Sequence, residues 1–197
     1  GIEIPLIIGG KEVRTEDQEQ CVMPHDHQHI LGNFHMAGEN EVQLAIDSSM
    51  SAWKTWSKVG LDERTKIFRK AAELLKGPWR DTINAATMLN QSKNAFQAEI
   101  DAACELIDFF NFNCQYAEDI YGNQPLISPE GVKNSLEYRP LEGFVFAITP
   151  FNFTSIAANL PCAPALMGNV ALWKPASSAV LPCYYIMKML EEAGLPD

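Results

Sequence analysis

Helical spacing of apolar residues dominates the first two thirds of the chain. From Glu39 to about Val59 apolar residues recur every three or four positions, and the same spacing returns in 62–76 and 79–89. A longer stretch, from Ala95 to Tyr121, repeats this period. Its apolar face is formed by Phe96, Ile100, Ala103, Ile107, Phe110 and Cys114. Such a period is typical of amphipathic helices, so four helices are predicted here.

Short extended segments precede these helices. An apolar run, Ile4–Ile8, and a second segment, Lys11–Val13, flank the dipeptide Gly9-Gly10, which predicts a hairpin with a Gly-Gly turn. Cys21–Met23 and Ile30–Phe34 are further candidate strands.

The last third changes character and alternates strands with helices. The predicted elements are strands Ser135–Arg139 and Gly143–Thr149, a helix Thr154–Met167 partly interrupted by Pro161 and Pro164, a strand Val170–Trp173 and a helix Val180–Ala193. This order is the start of a parallel α/β unit, so the predicted fold class is α/β. Only one crossover is present, whereas a doubly wound fold needs several, and we therefore expect an incomplete part of a larger fold.

Composition narrows the choice of partners. Asp and Glu number 25 against 15 Lys and Arg, and the net charge of −10 argues against nucleic acid or an anionic membrane as a partner. No apolar run reaches the roughly 18 residues of a membrane span.

The cysteines indicate the compartment. The five cysteines are odd in number and form no CxxC pair, which favours a reducing compartment. Without a visible leader, we expect a cytoplasmic protein that is not secreted, with the mitochondrial matrix as the alternative.

Two polar residues follow the predicted strands of the α/β unit. Asn152 lies between two phenylalanines in a turn after a buried strand. Its side-chain amide could donate to a developing oxyanion, or it could simply hold the turn through its own backbone. Lys174 ends the next apolar strand, at the sheet edge where ligands of α/β folds bind. A lysine at a sheet edge can also have no ligand and simply keep its ammonium group solvated.

Two other clusters have competing interpretations. Histidines alternate in His25–His29 and could face one way toward a metal. The pattern favours a solvated loop after Pro24 instead, and we predict no metal site. Asp101, Glu105 and Asp108 share one helix face by their spacing. They could meet a cationic ligand or form a solvent-facing stripe.

The motifs in this order resemble the aldehyde dehydrogenase superfamily. Ile148–Phe153 resembles its P-[WF]-N-[FY] segment, and Gly168–Pro175 resembles its G-N-x-x-x-x-K-P segment. Longer runs resemble the Δ1-pyrroline-5-carboxylate dehydrogenases, a subfamily that Phe151 also favours. These runs are Gln97–Phe110, Tyr138–Phe144 and Ala163–Asn169. The resemblance extends over nearly the whole chain from Pro5 onward.

The resemblance implies an incomplete aldehyde dehydrogenase fold. Residues 1–134 would form N-terminal hairpins and helices of the NAD-binding domain. Residues 135–149 would form a strand pair that lies partly in an oligomerisation arm. Residues 150–197 would form the first α/β units of a Rossmann-like NAD-binding sheet, and the catalytic domain would be absent. The whole protein would be a homo-oligomer, at least a dimer.

The resemblance also implies an activity and its residues. The whole protein would oxidise L-glutamate γ-semialdehyde to L-glutamate with NAD in proline degradation. Asn152 would be catalytic and donate to the oxyanion, Thr149 and Lys174 would bind the cofactor, and Glu105 and Phe153 would bind substrate. The nucleophilic cysteine and the general-base glutamate would come later in the chain, so this portion alone is expected to be inactive.

Two alternatives stay open at this point. One is an aldehyde dehydrogenase for another aldehyde, which would keep Asn152 and Lys174 but would not need Glu105. The other is a binding or structural fragment without enzymatic activity.

Overall fold

Five short strands form the N-terminal part of the protein, whose computed structural model describes residues 1–197. They are β1 (Ile2–Ile4), β2 (Leu6–Ile8), β3 (Lys11–Val13), β4 (Gln18–Met23) and β5 (Asp26–His35). Strands β2 and β3 pair antiparallel around Gly9 and Gly10, whose φ values of 55° and 66° favour residues without a Cβ. The predicted Gly-Gly hairpin is therefore confirmed. Strand β5 pairs in parallel with β1 and antiparallel with β4.

Three helices follow as the apolar spacing predicts. They are α1 (Glu39–Trp56), α2 (Leu61–Lys76) and α3 (Arg80–Gln91). Helix α2 buries Phe68, Ala71 and Leu75 on one face and is capped by Gly77. None of the helices combines the length and the apolar composition that crossing a bilayer requires.

The long helix predicted from Ala95 onward is present but is not a regular α-helix throughout. It begins as α4 (Ala95–Ala98), widens into a π-helical segment (Glu99–Cys104), and continues as α5 (Glu105–Gly122). Because the wider turns shift the helical phase, the predicted apolar face holds only toward the C-terminus. Phe96 is 74% exposed, whereas Phe110 is 2% exposed.

The last part of the chain is the expected parallel α/β unit. Its elements are β6 (Val145–Ile148), α6 (Thr154–Leu166), β7 (Ala171–Lys174) and α7 (Val180–Ala193). Strands β6 and β7 pair in parallel, so the predicted crossover is confirmed. Helix α6 continues through Pro161 and Pro164 rather than breaking there.

One predicted strand, Ser135–Arg139, is wrong. No other strand pairs with this segment, so its backbone forms hydrogen bonds with side chains and not with a neighbouring strand. The amide of Gln124 accepts from the N–H of Leu136 at 2.9 Å and donates to the carbonyl of the same residue at 3.3 Å. Within the proposed strand pair of 135–149, only Val145–Ile148 is a strand.

The main core lies among α2, α3, α5, α6 and α7. Its largest fully buried side chains include Phe68, Leu75, Ile83, Leu106, Phe110, Ile186, Met189 and Leu190. Helix α6 adds Ala158 and Cys162 to this core, which fixes its orientation. The turn between β6 and α6 therefore connects a sheet strand to a packed helix.

Candidate functional site

Thr149 and Lys174 lie side by side at the carboxyl end of the parallel strand pair. Ile148 stands opposite Lys174 in the register, and the backbone N–H of Thr149 donates to the carbonyl of Lys174 at 3.2 Å. The Thr149 side chain is buried and accepts from the indole N–H of Trp173 at 3.1 Å. Lys174 is exposed. A fixed hydroxyl and an exposed ammonium thus meet at the sheet edge where α/β folds bind ligands.

Asn152 lies in the exposed turn that leads from β6 into α6. Its backbone carbonyl accepts from the Nζ of Lys93. Its side-chain amide is exposed and makes no hydrogen bond within the chain. An asparagine that shaped the turn through its side chain would bond to nearby backbone, and that bond is not formed. The amide N–H is therefore free to donate to a ligand.

Thr154, the first residue of α6, anchors this turn to α3. Its hydroxyl is fully buried, shares a hydrogen bond of 2.9 Å with the hydroxyl of Thr87, and accepts from the side-chain amide of Gln91 at 3.1 Å. A buried hydroxyl without a hydrogen bond costs free energy. These two bonds therefore stabilise the position of the first residue of α6 relative to α3.

Lys93 is a site residue that the sequence pattern did not indicate. Its ammonium lies 2.7 Å from the carboxylate of Asp101, donates to the carbonyl of Asn152, and lies 4.5 Å from the ring centre of Phe153. The side chains of Lys93 and Asp101 are only 13% and 18% exposed. No motif or periodicity links Lys93 to Asp101, Asn152 and Phe153, because their meeting depends on the loop after α3 folding against the turn before α6.

The predicted acidic face divides into three separate environments. Asp101 pairs with Lys93, whereas Asp108 is exposed. Glu105 accepts a hydrogen bond of 2.7 Å from the hydroxyl of Ser155, a second contact that the sequence pattern did not indicate. The structure thus brings Glu105 into contact with Ser155, which follows Asn152 by three residues. It does not group the three carboxylates. Phe153 is half-buried and precedes this helix directly.

The five cysteines are all free thiols, and none is poised as a thiolate. Burial raises the pKa of Cys21 and of Cys114 to about 11 and that of Cys162 to about 12. Burial also raises the pKa of Cys183 and, together with the neighbouring Glu99, that of Cys104. A nucleophilic cysteine needs the opposite shift, because the thiolate is the reactive form.

The alternating histidines of His25–His29 are exposed. No three His, Cys, Asp or Glu side chains come close enough together to hold a metal ion. His25 instead bonds to the hydroxyl of Ser92 at 2.7 Å. An apolar cavity of about 200 Å³ between α1, the β2–β3 hairpin and β7 contains none of the predicted site residues.

Comparisons with known proteins identify the family of this chain. The sequence profile of the aldehyde dehydrogenase family matches residues 12–197. A mitochondrial Δ1-pyrroline-5-carboxylate dehydrogenase of Dictyostelium discoideum is 50% identical over 195 residues, which are 99% of this chain and 35% of that protein. The corresponding human mitochondrial protein is 49% identical, over 98% of this chain and 34% of its own length. The chain thus spans about a third of the length of these relatives.

Solved structures lead to the same family. The crystal structure of the Δ-pyrroline-5-carboxylate dehydrogenase from Mycobacterium tuberculosis bound with NAD superposes with a TM-score of 0.96 at 51% identity, covering 98% of this chain and 36% of that one. A Thermus 1-pyrroline-5-carboxylate dehydrogenase with bound NAD superposes with a TM-score of 0.92 at 29% identity, covering 100% of this chain and 38% of that one.

Proposed function

Because this chain belongs to the aldehyde dehydrogenase family, we propose that the whole protein oxidises L-glutamate γ-semialdehyde to L-glutamate with NAD in proline degradation. The observation that carries the proposal is the free amide of Asn152 in the turn that links the strand end beside Lys174 to the first turn of α6, which contacts Glu105. The relatives named for Δ1-pyrroline-5-carboxylate support the choice of substrate.

The residues at the sheet edge fit NAD. The exposed ammonium of Lys174 would donate to hydroxyls of the adenosine ribose, and Thr149 would contact the cofactor nearer its nicotinamide end. When bound, NAD accepts the hydride from the substrate carbon. The parallel strand ends and the NAD-bound relatives support this assignment.

Asn152 would act on the oxygen of the aldehyde. Attack of a cysteine thiolate on the carbonyl carbon leaves negative charge on that oxygen, and a nearby amide N–H stabilises this charge more than the neutral aldehyde. Asn152 thus lowers the barrier to attack without participating in covalent chemistry.

Glu105 and Phe153 would select the substrate. The semialdehyde of an amino acid carries an ammonium group, which the carboxylate of Glu105 can accept as a charge-assisted partner. The ring of Phe153 would pack against the aliphatic part of the substrate. A plain aldehyde lacks the ammonium group and would gain nothing from Glu105.

The nucleophile is expected outside these residues. By family resemblance, the nucleophilic cysteine and the general-base glutamate follow later in the whole protein. The raised pKa values of the five thiols described here, among them about 12 for Cys162, agree with that expectation. The 197-residue chain by itself should therefore form no NADH from aldehyde.

The assembly and the compartment are also proposals. Family resemblance implies a homo-oligomer of at least two subunits. Free thiols suit a reducing compartment, either the cytoplasm or the mitochondrial matrix. The mitochondrial names of several relatives support the matrix, and the similarly identical relative from Mycobacterium tuberculosis supports the cytoplasm.

The direct test follows NADH formation by the purified full-length protein. Glutamate semialdehyde should be oxidised with a much higher kcat/KM than an uncharged aliphatic aldehyde of similar length. Equal kcat/KM for both substrates would favour the alternative of a different aldehyde, and absence of NADH with any aldehyde would refute the enzymatic proposal.

A further inference from the structure

We infer that Lys93 is a positioning residue that holds the Asn152 turn in the geometry needed for oxyanion stabilisation. The inference rests on the proposed function, because it concerns how Asn152 reaches its role. Lys93 joins three parts of the molecule: the loop after α3, the π-helical segment through Asp101, and the turn before α6 through the carbonyl of Asn152.

The loop that carries Lys93 is itself well fixed. Ser92, just before it, adopts a left-handed backbone conformation with φ of 53° and bonds to His25 in the β4–β5 region. Asn94, just after it, caps α4: its side chain accepts from the N–H of Gln97 at 2.8 Å, and its own N–H donates to the Gln97 side chain at 3.0 Å. Lys93 therefore lies between two residues that are each held by side-chain hydrogen bonds.

The ammonium of Lys93 is also fully engaged. It has an ionic partner in Asp101 at 2.7 Å, an acceptor in the carbonyl of Asn152, and a ring face in Phe153 at 4.5 Å. The ion pair is largely shielded from water, so it is screened less than a surface pair. A lysine with these partners is suited to holding protein groups in place and not to binding the cofactor or the substrate as a free cation.

The turn itself needs such a support. Phe151 is 65% exposed and Asn152 is exposed, so within these 197 residues the side chains of the turn are not held by packing. Catalysis depends on placement to within a fraction of an ångström, and misplacement by about 1 Å can cost about 100-fold in rate. By binding the carbonyl of Asn152, Lys93 restricts rotation of the peptide unit that follows the oxyanion donor.

The test is a double-mutant cycle in the full-length protein, with kcat for glutamate semialdehyde and the Kd of NAD as readouts. The single variants are Lys93→Met, which keeps the aliphatic stem and removes the ammonium, and Asn152→Ala. Lys93→Met should lower kcat by about 10- to 100-fold and leave the Kd of NAD unchanged, since Lys93 contacts neither Thr149 nor Lys174. If Lys93 acts through Asn152, the double variant should have the same kcat as Asn152→Ala alone.

Controls separate positioning from folding. Lys66→Met removes an exposed lysine whose ion pair with Glu63 lies on the surface of α2, and it should leave kcat unchanged. Lys93→Arg keeps the charge and a donor, and it should restore most of the kcat lost in Lys93→Met. Lys93→Gln replaces Lys93→Met in the cycle if the methionine variant does not fold, as judged by its melting temperature.

The outcomes are distinct. Multiplicative losses of kcat in the double variant, or an unchanged kcat in Lys93→Met, would overturn the positioning role. A normal kcat in Asn152→Ala would instead refute the proposed oxyanion role itself, whatever Lys93→Met shows.

Discussion

The hydroxyl of Ser155 donates to Oε2 of Glu105 over 2.7 Å and so joins the first turn of α6 to the first residue of α5. One oxygen of the carboxylate is thereby oriented by the protein, and the other oxygen is left for a further partner. Because α6 also carries the Asn152 turn at its start, the orientation of Glu105 is coupled to the position of that turn.

Glu105→Ala in the full-length protein should raise the KM for glutamate semialdehyde more than the KM for an aliphatic aldehyde, because only the amino acid aldehyde carries an ammonium group. Steady-state kinetics with both substrates measures the difference. Ser155→Ala should shift KM in the same direction but less, since the carboxylate remains. Asp108→Ala, an exposed carboxylate on the same helix, is the matched control, and an effect of Glu105→Ala that is equal on both aldehydes would make Glu105 a structural residue.

Lys174→Ala should weaken NAD binding by about 1.5–3 kcal/mol, or about 10- to 150-fold in Kd, through loss of a charge-assisted hydrogen bond. Titration of the full-length protein with NAD by fluorescence or calorimetry gives the Kd directly. Lys54→Ala, another exposed lysine near the end of α1, should leave it unchanged. An unchanged Kd in Lys174→Ala would show that Lys174 is a solvated lysine at the sheet edge that does not bind NAD.

Arg64 is a buried cation whose partners are oxygen atoms without a full charge. Its guanidinium donates to the carbonyl of Leu166 at 2.6 Å, to the carbonyl of Val59 and to the hydroxyl of Tyr121 at 3.0 Å. Arg64→Met keeps the aliphatic volume but leaves these carbonyls without a donor, so we expect a loss of about 3 kcal/mol in the free energy of unfolding.

The matched control for Arg64 lies on the same helix. Arg69 forms an exposed ion pair with Glu118, and Arg69→Met should cost less than about 1 kcal/mol. Urea unfolding of both variants measures the two losses. Similar losses would show that the three bonds of Arg64 contribute no more than a surface pair.

The thiols should react in an order set by burial. At pH 8 iodoacetamide should label Cys104 first, because it is the least buried, and should label Cys21, Cys114 and Cys162 very slowly, because pKa values of about 11, 11 and 12 leave little thiolate. Raising the pH toward these values should increase their labelling rates. Peptide mass spectrometry resolves the sites, with denatured protein as the control in which all five react.

Labelling also tests where the nucleophile lies. In the full-length protein the cysteine that reacts fastest, and that aldehyde or NAD protects, should not be one of these five. Rapid, protectable labelling of Cys162 would contradict the placement of the nucleophile later in the chain.

Sequence patterns predicted the elements of the site better than its contacts. The strand ends that carry Thr149 and Lys174 follow from apolar runs and a crossover, which are local features of the chain. Lys93 and Ser155 gave no signal, because their bonds to Asn152 and Glu105 span 59 and 50 residues and depend on tertiary packing.

The errors in the predicted elements have similar causes. Alternation of polar and apolar residues in Ser135–Arg139 is typical of a strand, but a strand also needs a second strand to pair with. The side chain of Gln124 instead forms hydrogen bonds with the backbone of this segment. Helical spacing assigned Phe96 to the core, but the π-helical segment changes the phase between Phe96 and Phe110.

Asn152 remains the residue on which the account depends most. Removing one oxyanion donor typically lowers kcat by about 100- to 1000-fold, so Asn152→Ala should be nearly inactive while binding NAD normally. Asn152→Asp should be as inactive or more so, since an ionised carboxylate has no donor and repels the oxyanion.

The most direct test is therefore kcat of the full-length Asn152→Asp enzyme with glutamate semialdehyde, measured beside its melting temperature. The oxyanion role predicts a normally folded protein whose kcat is lower by at least about 100-fold. Aspartate can make the same backbone bonds in a turn, so a residue that only shaped the turn would tolerate the change. A normally folded Asn152→Asp enzyme with nearly full kcat would contradict the account.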